Sequence, residues 1–101
     1  MAEIIWTALA LEDLRQIHQF ISKDSKQYAA IVVRSVRSSA ERLKAFPESG
    51  RLVPELPGGR YREVIVFPYR IVYRYAEEQN QVLVLAVIHG SRLLPPIQES
   101  S

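Results

Sequence analysis

The sequence predicts an α+β domain in which a helical hairpin packs on one face of a small sheet, in the order strand, helix, helix, strand, strand, strand. Three observations carry this. Apolar residues recur at helical spacing over residues 8 to 46, a period of two takes over from residue 60, and a stretch rich in proline and glycine separates the two regimes. The connections among the last three apolar runs are too short for crossovers, so those strands are antiparallel neighbours. Helices segregated to one face of such a sheet complete the class.

Each element has its own justification. "AEIIW" at the start is a short β-branched run that reads as a strand, and Thr7 can cap the helix behind it. That helix is predicted over residues 8 to 23, with Leu14, Ile17 and Ile21 as its buried stripe, Leu11 and Phe20 widening it, and Glu12, Asp13, Arg15 and Lys23 on the other side. Asp24 stands three residues before Gln27, the spacing of a capping box, and predicts a tight turn into a second helix. Ala29, Val32, Val36, Ala40 and Leu43 form the stripe of this second helix, which Pro47 stops at Phe46. "PESGRLVPELPGG" holds three prolines and three glycines in thirteen residues and reads as an ordered surface loop. Residues 60 to 67, 69 to 76 and 82 to 88 are the remaining strands, and "PPIQESS" is a fraying tail.

Composition bounds the function. The 101 residues make one domain, over residues 1 to 95, with 96 to 101 as tail. No apolar run is long enough to span a bilayer, and "MAEIIWTALA" lacks the features of a signal peptide, so the expected location is cytoplasmic. With no cysteine and two histidines, neither a thiolate nor a histidine-rich metal site is expected, and no cofactor is predicted.

The net charge is only +2, but residues 51 to 75 carry five arginines against two glutamates. Arginine is ten of the thirteen basic residues, and its planar fork suits phosphate and carboxylate. Alternation sets Arg60, Arg62, Val64 and Val66 against Tyr61, Glu63, Ile65 and Phe67, and then Arg70, Val72 and Arg74 against Tyr69, Ile71, Tyr73 and Tyr75. With the tyrosine-rich side on the helices, the arginines share the uncovered face and Glu63 points inward without a reason. Two readings stay open: ordinary charges paired on an open face, or a site waiting for an anion.

"ALEDLRQIHQFI", "FPESGRLVPEL", "YREVIV", "YRIVYRY" and "VLAVIHGSR", in this order between Ile4 and Leu94, resemble the RelE/ParE superfamily of toxins from type II toxin–antitoxin systems, and the ParE branch most. The resemblance implies a helical hairpin on a small twisted antiparallel sheet and a cognate antitoxin as partner. It also implies one of two targets. ParE-like members poison DNA gyrase by binding it; RelE-like and YoeB-like members cut mRNA on the ribosome.

For the gyrase reading, Arg62, Arg70, His89 and Arg92 are the candidate target-binding residues. For the nuclease reading, Glu55 is the candidate base, Arg70 the phosphate clamp and His89 the acid. Against the RelE pattern, Val64 stands where a basic residue is expected and no aromatic follows Arg92; against the YoeB pattern, Gly90 replaces a tyrosine after His89. The antitoxin is expected to lay an amphipathic helix on the hairpin, with Leu9, Leu11, Phe20 and Tyr28 as contact residues, and to add a strand at a sheet edge.

Overall fold

In the computed structural model, residues 1–97 and residue 99 are described. Strand β1 (Glu3–Trp6) leads into helix α1 (Ala8–Ser22), a tight turn, helix α2 (Lys26–Glu41) and a 3₁₀ turn over Arg42–Lys44. There follow β2 (Arg51–Leu52), β3 (Arg62–Val66), β4 (Tyr69–Ala76) and β5 (Gln81–His89). The predicted loop therefore contains a two-residue strand. The described residues form one five-stranded sheet in the order β1-β5-β4-β3-β2. Its pairs are antiparallel except for β1, which runs parallel to β5 with Glu3 beside Gln81 and Trp6 beside Val84.

Thr7 does two jobs at the start of α1. Its hydroxyl oxygen accepts the Ala10 N–H at 3.2 Å, capping the helix, and its O–H donates to the Val84 carbonyl at 2.8 Å. The helix is thereby fastened to β5 at its first turn. The cap of α2 is Ser25, whose Oγ accepts the Tyr28 N–H at 3.0 Å, and not the expected Asp24. The reason lies in the turn: the N–H groups of Asp24 and Ser25 both donate to the Ile21 carbonyl, so Asp24 still closes α1 and Ser25 is the first extended residue. At the other end, α2 stops as an α-helix at Glu41, and the 3₁₀ turn carries Leu43 into the core before Pro47.

Burial follows the predicted stripes closely in α2, where Ala29, Val32, Val36 and Ala40 are buried. In α1, Ala10 and Leu14 are buried, whereas Phe20 is 70% exposed and Leu11 43%. The helices cover Tyr69, Ile71, Tyr73, Val82, Val84 and Val87, with Val64 and Val66 beside them. A second, smaller cluster lies on the opposite face: Val53, Val72 and Ala86, with Leu56, Tyr61, Ile88, Leu94 and Ile97 packed against them. Both faces of the central strands are therefore buried. Of the tail expected to fray, Ile97 packs in that second cluster; Gln98, Ser100 and Ser101 lie outside the described residues.

The expectation that the arginines share one face is corrected here. Val66 pairs with Tyr69 across the Phe67–Pro68 turn, Val64 with Ile71 and Arg62 with Tyr73. Directly paired residues share a face, so Arg62, Val64 and Val66 lie on the helix side, while Tyr61, Glu63, Ile65 and Phe67 join Arg70 and Arg74 on the other. Glu63 is thus on the same face as Arg70.

Candidate functional site

The open-face arginine at the centre of the sheet is not free. Arg70 donates from Nε to Glu63 Oε1 at 2.6 Å, and its two terminal nitrogens grip both oxygens of Glu55 at 2.7 and 2.8 Å. The second oxygen of Glu63 accepts from Arg51 Nε at 2.6 Å. Glu63 has a side chain 0% exposed, and burying a carboxylate so completely is costly unless cations pair with it. The pairing of Glu63 with Val72, two residues along β4 from Arg70 and so on the same face, puts the two side chains within reach. Glu55 comes from the proline-rich loop and remains 45% exposed. Its hydrogen bonds to Arg70 hold its carboxyl well below the usual range, at about 2, and Glu55 in turn raises the Arg70 guanidinium.

The same loop seals the face around this cluster. Val53, Leu56 and Tyr61 lie over Val72, Ala86 and Ile88, helped by Leu94 and Ile97. At the loop's far end, Arg60, Arg74 and Tyr61 converge on the Glu99 carboxylate. These contacts to Glu99 push the Tyr61 hydroxyl up and the Glu99 carboxyl down.

His89 stands elsewhere. It pairs with Tyr69, on the helix side, whereas Arg70 pairs with Ile88. Its ring meets Tyr69 edge-on at 5.7 Å, and its Nδ1 accepts the Ser91 N–H at 3.2 Å. His89 and Arg92 line a cleft of about 440 Å³ between α1 and the end of β5, together with Asp13, Phe20, Lys23 and Tyr69. Asp13, which the helical pattern assigns to the outer side, in fact faces the sheet. Its carboxylate accepts the Val87 N–H at 3.0 Å, where β1 has ended and, among the described residues, no strand covers the outer edge of β5. Burial pushes the Asp13 carboxyl up, and the Val87 N–H opposes that shift.

The candidate residues are therefore divided among separate places. Glu55 and Arg70 are in contact, while His89 lies on the opposite face, so the three do not converge on one reacting atom. Of the four target-binding candidates, His89 and Arg92 share the cleft and Arg70 lies under the loop. Arg62 sits at the far end of β3, donating to the Gly50 carbonyl at 2.9 Å and 3.8 Å from Glu48. The helix-hairpin candidates also split. Leu11 lies in a shallow groove between the helices with Leu14, His18, Val33 and Arg37; Phe20 lines the cleft, Tyr28 is exposed at the start of α2, and Leu9 is half-buried. Sequence reasoning missed Arg51 and Asp13. The inward Glu63 was the readable sign of the first, since a carboxylate among core residues needs a cation.

A helical hairpin on one face of a five-stranded sheet, with an arginine–glutamate cluster under a loop on the other face, defines the architecture of the described residues. The chain belongs to the family of ParE toxins of type II toxin–antitoxin systems (parDE), whose pattern matches residues 4–94. It is similar to toxin RelE2 of Caulobacter vibrioides, at 31% identity over 93 residues that span 92% of this chain and all of that one. Among solved structures, the fold resembles a chain of the chromosomal ParDE system of P. aeruginosa, with a TM-score of 0.71 and 19% identity over 88% of this chain and 96% of that one. It also resembles a chain of the RelBE2 toxin–antitoxin complex of Mycobacterium tuberculosis, with a TM-score of 0.57 and 22% identity over 87% and 96%. No helix among the described residues is long and apolar enough to cross a membrane.

Proposed function

We propose that this toxin arrests growth by binding DNA gyrase and stabilising its cleaved-DNA state, and that a cognate antitoxin neutralises it. The observation that carries this reading is the occupation of Arg70. Cleavage of RNA through its 2′-hydroxyl requires cations free to meet the phosphorane charge, with a base and an acid on either side of it. Here Glu55 is spent on Arg70, Glu63 neutralises the same guanidinium, and His89 is on the other face of the sheet. A surface-binding mode of action needs none of these groups in a catalytic arrangement. His89 and Arg92 in the cleft, with exposed Phe20 beside them, are then the target-facing set, and Leu11 and Tyr28 on the hairpin face the antitoxin.

The test is a pulse of induced expression with parallel incorporation of labelled thymidine and methionine, beside a supercoiling assay with purified gyrase. Early loss of DNA synthesis with accumulation of cleaved plasmid is the expected result. Early loss of protein synthesis with supercoiling intact would overturn it and return Glu55 and Arg70 to a nuclease role.

A further inference from the structure

The Glu99 carboxylate is held as a bound anion would be. Arg60 Nη2 lies 3.2 Å from one of its oxygens and 3.1 Å from the other, the Tyr61 hydroxyl donates to it, and Arg74 Nη1 stands 3.4 Å away. These groups gather at one end of the sheet: Tyr61 directly precedes β3, and Arg74 follows the Arg62–Tyr73 pair on β4. The Arg60 guanidinium lies over the Tyr61 ring at 5.7 Å, which keeps both side chains facing the same point.

A carboxylate fills this place incompletely. Arg60 meets both oxygens through a single nitrogen, and Arg74 stands beyond the roughly 2.7–2.9 Å of a charge-assisted hydrogen bond. Neither guanidinium makes the two-pronged contact that its fork allows. Among the described residues neither has another ion pair, so two cations face one negative charge. A terminal phosphate brings a third oxygen and a charge of about −1.5 to −2 at neutral pH, which meets both deficits.

Arg60 and Arg74 open onto a hollow of about 900 Å³ that also holds Gly59, Tyr75, Glu77 and Glu78. Gly59 has a φ of +74°, and a Cβ there would meet nothing within 4 Å, so the main chain beside Arg60 is open to a ligand. Arg62 and Glu48 in the same hollow face each other at 3.8 Å, and Glu77 and Glu78 leave no excess of positive charge. One phosphate is therefore accommodated, whereas a run of phosphates is repelled. The two glutamates and Gln79 accept hydrogen bonds from hydroxyl and amino groups, and half-buried Tyr75 supplies an aromatic surface of the kind on which bases stack.

We infer that Arg60, Tyr61 and Arg74 form a binding site for the terminal phosphate of a nucleotide, and that Glu99 occupies this site when the nucleotide is absent. The inference does not depend on the gyrase reading. Binding expels Glu99 and loosens the segment before it, in which Ile97 and Leu94 pack on the second cluster, close in sequence to Arg92 of the cleft.

The test is calorimetric titration of the purified toxin with adenosine 5′-monophosphate, adenosine, inorganic phosphate, a phosphoserine peptide, and a single-stranded oligonucleotide with and without a 5′-phosphate. The monophosphate is expected to bind, and adenosine to bind about tenfold more weakly or less. Glu99→Gln removes the competing charge and should tighten the monophosphate about fivefold. Arg74→Gln should weaken it about tenfold, with the circular dichroism of both variants unchanged. Preference for the 5′-phosphorylated oligonucleotide over the monophosphate would support the site and identify a nucleic-acid end as the source. Equal binding of the oligonucleotide without that phosphate, equal binding of inorganic phosphate, or binding of the phosphoserine peptide alone would each overturn the nucleotide assignment. No binding of the monophosphate by folded Glu99→Gln would overturn the site itself, and the gyrase reading would stand or fall separately by its supercoiling assay.

Discussion

Replacing Arg70 with methionine removes the cation from a carboxylate that has no access to water. Glu63 is 0% exposed and keeps only Arg51, itself 63% exposed, as its counter-ion; Glu55, 45% exposed, is simply returned to solvent. Removing one partner of a buried pair costs about 3–5 kcal/mol. Because Arg51 retains one oxygen of Glu63, the lower end applies, roughly 3 kcal/mol. With a urea slope of about 1.5 kcal/mol/M for a domain of this size, the unfolding midpoint falls by roughly 2 M. The assay is urea unfolding followed by Trp6, the only tryptophan, which packs against the helix-side core beneath the Arg37 guanidinium. Arg51→Ala, from a well-exposed position, is expected to cost about 1 kcal/mol or less, and pairing Arg70→Met with Glu63→Leu should recover most of the loss. An Arg70→Met midpoint within 0.5 M of wild type (~0.75 kcal/mol at the slope above), or a double variant no better than the single one, would refute the account of Arg70 as the counter-ion of Glu63.

Three further outcomes are expected. Tyr73→Phe strands the buried Gly50 N–H that now donates to the tyrosine hydroxyl at 2.9 Å, and should cost about 1–3 kcal/mol in the same unfolding assay. Asp13→Ala should raise the exchange rate of the Val87 amide and destabilise the fold, whereas Asp13→Asn, which still accepts that N–H without a half-buried charge, should be neutral or stabilising at neutral pH. The pH dependence has a definite sign: the Glu55 carboxyl sits at about 2 in the folded protein, below its unfolded value, so its contribution is complete above the ordinary carboxylate range and disappears as pH falls towards 2. Comparing acid unfolding of Glu55→Gln with wild type isolates that contribution, and identical acid titration curves would sink it.

Periodicity and capping chemistry made the helices legible. The spacing of Ala29, Val32, Val36 and Ala40 marks a buried stripe, and Thr7 before Ala8 marks a start. The facing of β3 was harder, because the sheet is buried on both sides: Val64 and Val66 on one face and Tyr61 and Ile65 on the other are equally apolar, so alternation alone cannot choose. The turn held the missing information. Counting back from a two-residue connection at Phe67–Pro68 pairs Glu63 with Val72 and sets it beside Arg70. Two other features lay outside local patterns. The parallel partnership of β1 with β5 joins segments nearly the whole chain apart, and β2 is two residues inside a proline-rich loop that carries no strand signal. The candidate site suffered from the same gap: Glu55, Arg70 and His89 were individually conspicuous, but their separation onto two faces follows from strand register.

The parallel pairing of residues 3–6 with residues 81–84 ties the first strand to the last. Thr7 reinforces that tie by donating to Val84 across 77 positions. A growing polypeptide has both helices and β1 available early, but β1 has no partner and β4 has only one neighbour until β5 has been made. Contacts this distant in sequence form late and slowly. The complete fold is therefore withheld until β5 has been made, and any chain ended before Gln81 lacks the strand that joins its two halves. A cell making this protein meets the folded toxin only after β5, residues 81–89, has been translated.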